Sequence, residues 1–294
     1  MSFQRKWSLL ILWIVLGSVF CLYLVWPTSR AIITAHPFRK SSMQNPGDWN
    51  LQYEDVSFVT EDNLALSGWY IPSHNGAIVI ITHGYGGNRG DCLEQAAVLV
   101  NNGYGVLLFD LSAHGRSEGN TLTLDGRDVR AAVKYLEGRR DSQSQVIGVW
   151  GFSLGGMVGI QATAQTATIR GIVADGPFPV VALSDMPMPE TLEDWFWKPF
   201  DAVEYKVWEI QGVSGAMNTT EALAKIAPRP VLLISGTQNR GEYRMMRKYY
   251  ASAGQAATLW EVAEAGHIGS WQARKADYSA RVTAFFRQVL LKDR

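Results

Sequence analysis

The stretch whose reading decides the fold runs from residue 146 to 165, VIGVWGFSLGGMVGIQATAQ. It opens on an apolar run rich in β-branched residues, the mark of a strand buried on both faces, and closes on MVGIQATAQ, which reads as a helix. Between them lies Gly151-Phe152-Ser153-Leu154-Gly155, a G-x-S-x-G. Where a strand turns sharply into a helix the chain passes close to itself, so Gly151 and Gly155 leave the room that lets Ser153 Oγ point outward. Glycine and serine are common, and the pattern alone could be a structural turn. Its place between an apolar strand and a helix makes Ser153 a candidate nucleophile.

Outward from this point the same rhythm repeats. AIVIITH at 77–83, GVLLFD at 105–110, VIGVWG at 146–151 and IRGIVAD at 169–175 alternate with helical stretches. Leu93, Ala97 and Val100, and later Val129, Val133 and Leu136, keep the spacing of an apolar helical stripe. Strands apolar on both faces and separated by helices predict a mostly parallel central sheet with helices on both faces, an α/β fold. A hairpin-like pair, 56–60 and 64–71, precedes this pattern around Glu61-Asp62-Asn63. PVLLISG at 230–236, ATLWEV at 257–262 and an amphipathic helix around Tyr278–Leu291 complete it. Residues 177–227, which include MPMPETLEDWFWKPF, break the rhythm and are expected to form a small cap-like insertion over the sheet edge.

The N-terminal run WSLLILWIVLGSVFCLYLVW, Trp7 to Trp26, is about twenty residues long, enough to cross a hydrocarbon core as a helix. Arg5 and Lys6 precede it, and its terminal tryptophans suit the headgroup layers. It exceeds the usual apolar core of a signal peptide, PTSRAIITAHP offers no small-x-small cleavage site, and Phe20 before Cys21 does not suit a lipoprotein. The expected organisation is a single-pass anchor at 1–26, a linker at 27–50 and one catalytic domain at 51–294. Arg30, Arg39 and Lys40 beyond the span, against Arg5 and Lys6 before it, leave the orientation weakly marked; an extracytoplasmic domain is the reading taken. Lys+Arg 27 balances Asp+Glu 27 with no charged block, which argues against nucleic-acid binding and toward a small-molecule or lipid-like acyl substrate. Cys21 and Cys92 occupy unlike environments and are not expected to pair.

A serine hydroxyl needs an adjacent base, normally histidine. Of five histidines, His36 and His74 fall in the linker and a loop, and His83 and His114 in turns where hydrogen bonding within a loop is the ordinary role. His267, in Ala-Gly-His after ATLWEV, follows the nucleophile late in the chain, as a base serving such an elbow does. His83-Gly84-Tyr85-Gly86 supplies a glycine-rich turn after a strand. The N–H groups of Tyr85 and Leu154 are the expected oxyanion donors, each worth on the order of 3 kcal/mol in the transition state. The spacing G-x-G-x-x-G is absent from that turn, which disfavours a dinucleotide site.

HGYGGNRG, FDLSAHGRSEG, GFSLGG and AGHIGSW, in this order, resemble the α/β-hydrolase superfamily across about residues 50–294. With the N-terminal anchor, the chain resembles the bacterial membrane-anchored serine hydrolases of the Bem46-like group. The resemblance implies an α/β-hydrolase fold, ester hydrolysis through an acyl-serine, and no metal or organic cofactor. In one place the chain departs from the pattern: where the family usually has Gly-x-x-Asp, Gly236-Thr237-Gln238-Asn239 puts an amide. Glu242 in the same loop is the preferred acid, with Asn239 itself and Asp175 at the end of a strand as alternatives. Losing a triad carboxylate can cost about 10⁴ in kcat in a serine protease, so a catalytically weakened binding or scaffold protein is the competing reading. An acyltransferase or peptidase would share the acyl-enzyme. A carboxylate within reach of the His267 nitrogen facing away from Ser153 separates the first two.

Overall fold

Eight strands form one sheet in the computed structural model, which describes residues 3–141, 146–177, 183–186, 188–213 and 216–291. They are β1 Glu54–Val59, β2 Ala65–Ile71, β3 Ala77–Thr82, β4 Gly105–Phe109, β5 Val146–Phe152, β6 Ile169–Asp175, β7 Val231–Gly236 and β8 Ala257–Val262. Their order is β1-β2-β4-β3-β5-β6-β7-β8. The first two form the expected hairpin and β2 pairs antiparallel with β4; every later pairing is parallel. This is the α/β-hydrolase architecture. Its parallel strands alternate between two cores: Ile78 and Ile80 face one, Val79 and Ile81 the other.

The first core is closed by α4 Arg127–Gly138, α5 Leu154–Gln165, α7 Thr219–Ile226 and α8 Arg240–Ala253. The second is closed by α3 Leu93–Val100, the short α9 Ser270–Ala273 and α10 Lys275–Leu290. Val129, Val133 and Leu136 turn inward as their spacing predicts. On α3 the inward stripe is Leu93, Ala96 and Leu99, so Ala97 and Val100 are only half-buried; a three-residue step fits a helix as well as a four-residue one, and packing against β4 chooses. Because β3 lies between β4 and β5, the chain reverses its winding direction there. The crevice that such a reversal opens beyond the carboxyl ends of the strands lies between the turns that follow β3 and β5.

At the N-terminus, α1 Phe3–Phe20, a π-helical turn Cys21–Val25 and α2 Trp26–Ala35 make one continuous helix, long and apolar enough to cross a membrane. None of α1 is buried. The helix does not stop at Trp26. Pro27 lacks a backbone N–H, yet it follows directly on the wider π turn, where the hydrogen-bond ladder is already shifted. Pro27, Ala31 and Ala35 then form a buried stripe at four-residue spacing. The first part of the stretch expected to be an irregular linker is therefore helix, held by packing that no local pattern announced.

The insertion contains α6 Leu192–Ile210, opened by a capping box between Thr191 and Asp194. It packs along α2 and the π turn. Its last part, α7, belongs to the main core through Ala222, Leu223 and Ile226.

Candidate active site

Ser153 sits in the turn between β5 and α5 with φ 52° and ψ −115°, a conformation that a side chain rarely adopts. The two flanking glycines make it possible. A Cβ on Gly151 would lie 2.3 Å from the Gly155 carbonyl oxygen, and one on Gly155 would lie 2.3 Å from the Thr82 carbonyl oxygen at the end of β3. Thr82 Oγ1 donates to the Gly155 carbonyl at 3.0 Å, tying the start of α5 to β3. Leu154 opens α5, where backbone N–H groups lack helical acceptors and the helix dipole favours negative charge.

His267 reaches this serine from the loop after β8, with Nε2 at 2.8 Å from Ser153 Oγ. Its other nitrogen, Nδ1, lies 2.7 Å from Glu242 Oε2. The carboxylate is almost fully buried while the imidazole stays open to solvent on one side. The hydrogen bond to Glu242 raises the His267 pKa above the ordinary histidine value, against the opposing effect of burial.

The three acid candidates separate cleanly. Asn239 is the N-cap of α8: its Oδ1 accepts the Glu242 backbone N–H at 3.2 Å. Glu242 is thereby set at the third helical position, in the favourable field of the helix N-terminus. Asn-x-x-Glu is the form of a capping box, whose glutamate normally turns back to the cap; here it is diverted to His267. Asp175 ends β6 fully buried, accepts the Tyr278 hydroxyl at 2.9 Å, and is pushed up to about 7 by burial. Its backbone carbonyl accepts the Ser153 N–H at 2.8 Å. Asp175 thus underlies the pair without touching the imidazole by a hydrogen bond.

Gly176 is the residue that sequence reasoning passed over. At φ +54°, a Cβ there would lie 3.0 Å from Glu242 Oε1 and 3.2 Å from His267 Nδ1. The bare backbone after β6 is the floor under the His267–Glu242 bond. Its signal in the sequence is an Asp-Gly-Pro at a strand end.

The other histidines take the structural roles expected of them. His83 is buried, which pushes it down to about 4 and keeps it neutral. Its Nε2 accepts the Leu111 N–H at 3.1 Å, so Nδ1 carries the proton and donates to the Gly84 carbonyl at 2.7 Å. His114, also held down to about 4 by burial, lies edge-on to His83 and to Tyr85. These contacts hold the Gly84-Tyr85 turn beside the elbow, where a Cβ on Gly84 would be 3.4 Å from Ser153 Cβ. The His36 ring bonds the Asn120 carbonyl and the His74 backbone N–H donates to the Gly103 carbonyl, both away from this cluster.

Beside the turn is a cavity of about 170 Å³ lined by Tyr85, Cys92, Phe152, Ile268 and Trp271 among others. The Trp- and Met-rich insertion contributes none of its described residues to this cavity. The reason is that α6 gives its aromatic side to α2, with Phe200 against Trp26 and Trp208 bonded to Ala31 and Thr34. Among the described residues no group of three His, Cys, Asp or Glu side chains is arranged to hold a metal ion.

A family model described as the alpha/beta hydrolase fold matches residues 77–207. Among solved structures, the Pyrococcus furiosus esterase Pf2001 superposes with a TM-score of 0.70 at 28% identity, covering 86% of this chain and 99% of that one. The uncharacterized protein YfhR of Escherichia coli (strain K12) is 25% identical over 95% of both chains. The alpha/beta hydrolase domain-containing protein WAV2 of Arabidopsis thaliana is 26% identical over 79% of this chain and 78% of its own length.

Proposed function

We propose that this member of the α/β-hydrolase superfamily is a serine hydrolase that cleaves a carboxylic ester through an acyl-serine intermediate. The observation that carries the reading is the pair of short contacts on one imidazole, 2.8 Å to Ser153 Oγ and 2.7 Å to Glu242, at a strained elbow. Ser153 Oγ attacks the ester carbonyl while His267 Nε2 takes its proton. Glu242 holds Nδ1–H and steadies the imidazolium. The N–H groups of Tyr85 and Leu154 receive the oxyanion. As the tetrahedral intermediate collapses, the imidazolium gives its proton to the departing alkoxide, leaving acyl-Ser153 and an alcohol. Water then attacks the acyl group, its proton passing to His267 and onward to Ser153 Oγ as the acid is released.

The cavity beside the Gly84-Tyr85 turn is smaller than the 300–1,000 Å³ usual for drug-sized ligands, which supports a short acyl or alcohol group at that position. The esterase named among the structural relatives supports the reaction class. The competing view of a weakened binding protein rested on Asn239, and a carboxylate within hydrogen-bond reach of His267 removes its motive.

A fluorophosphonate probe, which reports an activated serine without knowledge of substrate, tests the reading. Strong labelling of the wild type, lost in both Ser153→Ala and His267→Ala, is expected. Labelling that persists in Ser153→Ala, or none in well-folded wild type, overturns it.

A further inference from the structure

The cap helix α6 carries a cluster of exposed apolar side chains at the end that points toward the N-terminal span. Met188 is 71% exposed, Leu192 90%, Trp195 55% and Phe196 47%. Four contacts fix the depth of this cluster. Tyr23 meets Phe196, with the rings 5.5 Å apart and the Tyr23 hydroxyl donating to the Phe196 carbonyl at 3.0 Å. Trp26 meets Phe200 at 5.8 Å, Arg30 meets Glu204 at 3.4 Å, and Trp208 meets Ala31 and Thr34. Residue numbers rise together along both helices, so α6 runs parallel to the N-terminal helix and its first turn points down the span.

Tyr23 is three residues inside Trp26, the aromatic residue at the end of the apolar run, and Leu192 lies four residues further down than Phe196. At a rise of 1.5 Å per residue, Leu192 sits roughly 10 Å below the level of Trp26, the depth at which interfacial helices bury their apolar side. The polar groups of this turn agree with that level. Glu190 and Asp194 pair with Arg244 of α8, and Lys198 lies over the Trp195 ring at 5.0 Å. Glu193 stays exposed, which holds this turn at the boundary between headgroups and acyl chains and no deeper.

We propose that the first turn of α6, with Met188 before it, is a bilayer-docking surface: it enters the lipid layer alongside the spanning helix and gives the catalytic domain a second point of attachment. The inference rests on α1 crossing a bilayer. The occupant is lipid because the cluster continues the lipid-facing surface of that helix at the same depth. Since α6 lies in the insertion that follows β6, it emerges from the same carboxyl edge of the sheet as the Ser153 turn, and docking holds that edge close to the membrane.

The full chain in nanodiscs, labelled with the fluorophore NBD at Leu192→Cys in a Cys21→Ala background, reads the depth directly; Cys92 is buried and stays unlabelled. Blue-shifted emission, and loss of most of it when the phosphatidylcholine carries brominated acyl chains, are expected. The same label at Lys134→Cys, exposed on α4, is expected to emit as in water and to resist quenching. A Leu192 label that behaves like the Lys134 label overturns the proposal. So does one that is blue-shifted but unquenched, because a second copy of the chain would then be covering it. Trp195→Cys carries the same readout should Leu192→Cys fail to fold, and the far-UV circular dichroism of each variant checks folding. Quenching without fluorophosphonate labelling would leave docking standing and overturn the hydrolase reading instead.

Discussion

Around His267 single atoms decide the chemistry. In the proposed mechanism the imidazole must be neutral to take the Ser153 proton, so activity is expected to rise with pH through the His267 pKa. Glu242 raises that pKa above the ordinary value near 6.5, so the acid limb of the pH–rate profile is expected above pH 6.5. In Glu242→Gln the imidazolium loses its partner: the limb moves to lower pH, and kcat falls by about 10³–10⁴, by analogy with a triad aspartate replaced by its amide. A pH series of kcat/KM on a p-nitrophenyl ester checks both, and an unmoved limb would show that another group titrates. The same coupling has a sign for stability. A histidine raised on folding contributes stability that is complete below its unfolded pKa and is lost as pH rises through the folded value. At this scale Ser153 and His267 could be named from their motifs, whereas Glu242 stood as one of three acids. The choice turned on Asn239, whose side chain caps α8 while Glu242 takes the place beside the imidazole. The Asn-x-x-Glu spacing was legible as a capping signal; that its glutamate reaches across 25 residues of chain to His267 was not.

Ends of elements, more than their interiors, build the site. β5 and β6 are adjacent and parallel, so the Ser153 turn and the Asp175-Gly176 end meet side by side. β7 and β8 follow in order and bring α8, with Glu242, and the His267 loop to the same edge. The alternation of buried strands and helices in the sequence already implied this convergence, because parallel strands with helical crossovers place all their outgoing loops at one end of the sheet. The close approach at Gly176 was beyond such reasoning. Its positive φ disfavours a side chain, and a Cβ 3.0 Å from Glu242 Oε1 would require the pair to give way by a few tenths of an ångström. Gly176→Ala should therefore push the Glu242–His267 pair away from Ser153. A fluorophosphonate labelling rate reduced by about tenfold or more, roughly 1.4 kcal/mol in the barrier, is expected with the far-UV circular dichroism of the wild type kept. Wild-type labelling would mean that the strand end yields instead.

For the whole molecule the consequential feature is that the N-terminal helix serves two environments. Its first part has nothing buried, while Pro27, Ala31 and Ala35 pack into the domain and α6 lies along them. Removing residues 1–22 is expected to leave a monodisperse protein that still reacts with the fluorophosphonate probe. Removing residues 1–36 uncovers the α2-facing side of α6 and is expected to give aggregation on size-exclusion chromatography, as exposure of a large apolar patch does. Equal behaviour of the two truncations would show that α2 is dispensable. What the sequence by itself determined was whatever rests on local spacing: strands buried on both faces, the elbow around Ser153, the late histidine and an apolar run of membrane length. Residues a few positions apart share one backbone geometry, so their pattern reports it directly. What only the tertiary structure decided was which carboxylate meets His267, how closely Gly176 approaches that pair, and that aromatic residues of the insertion pack on the N-terminal helix. Those contacts join segments up to 177 residues apart. Their partners are chosen by how the packed elements register against one another, which no local period records.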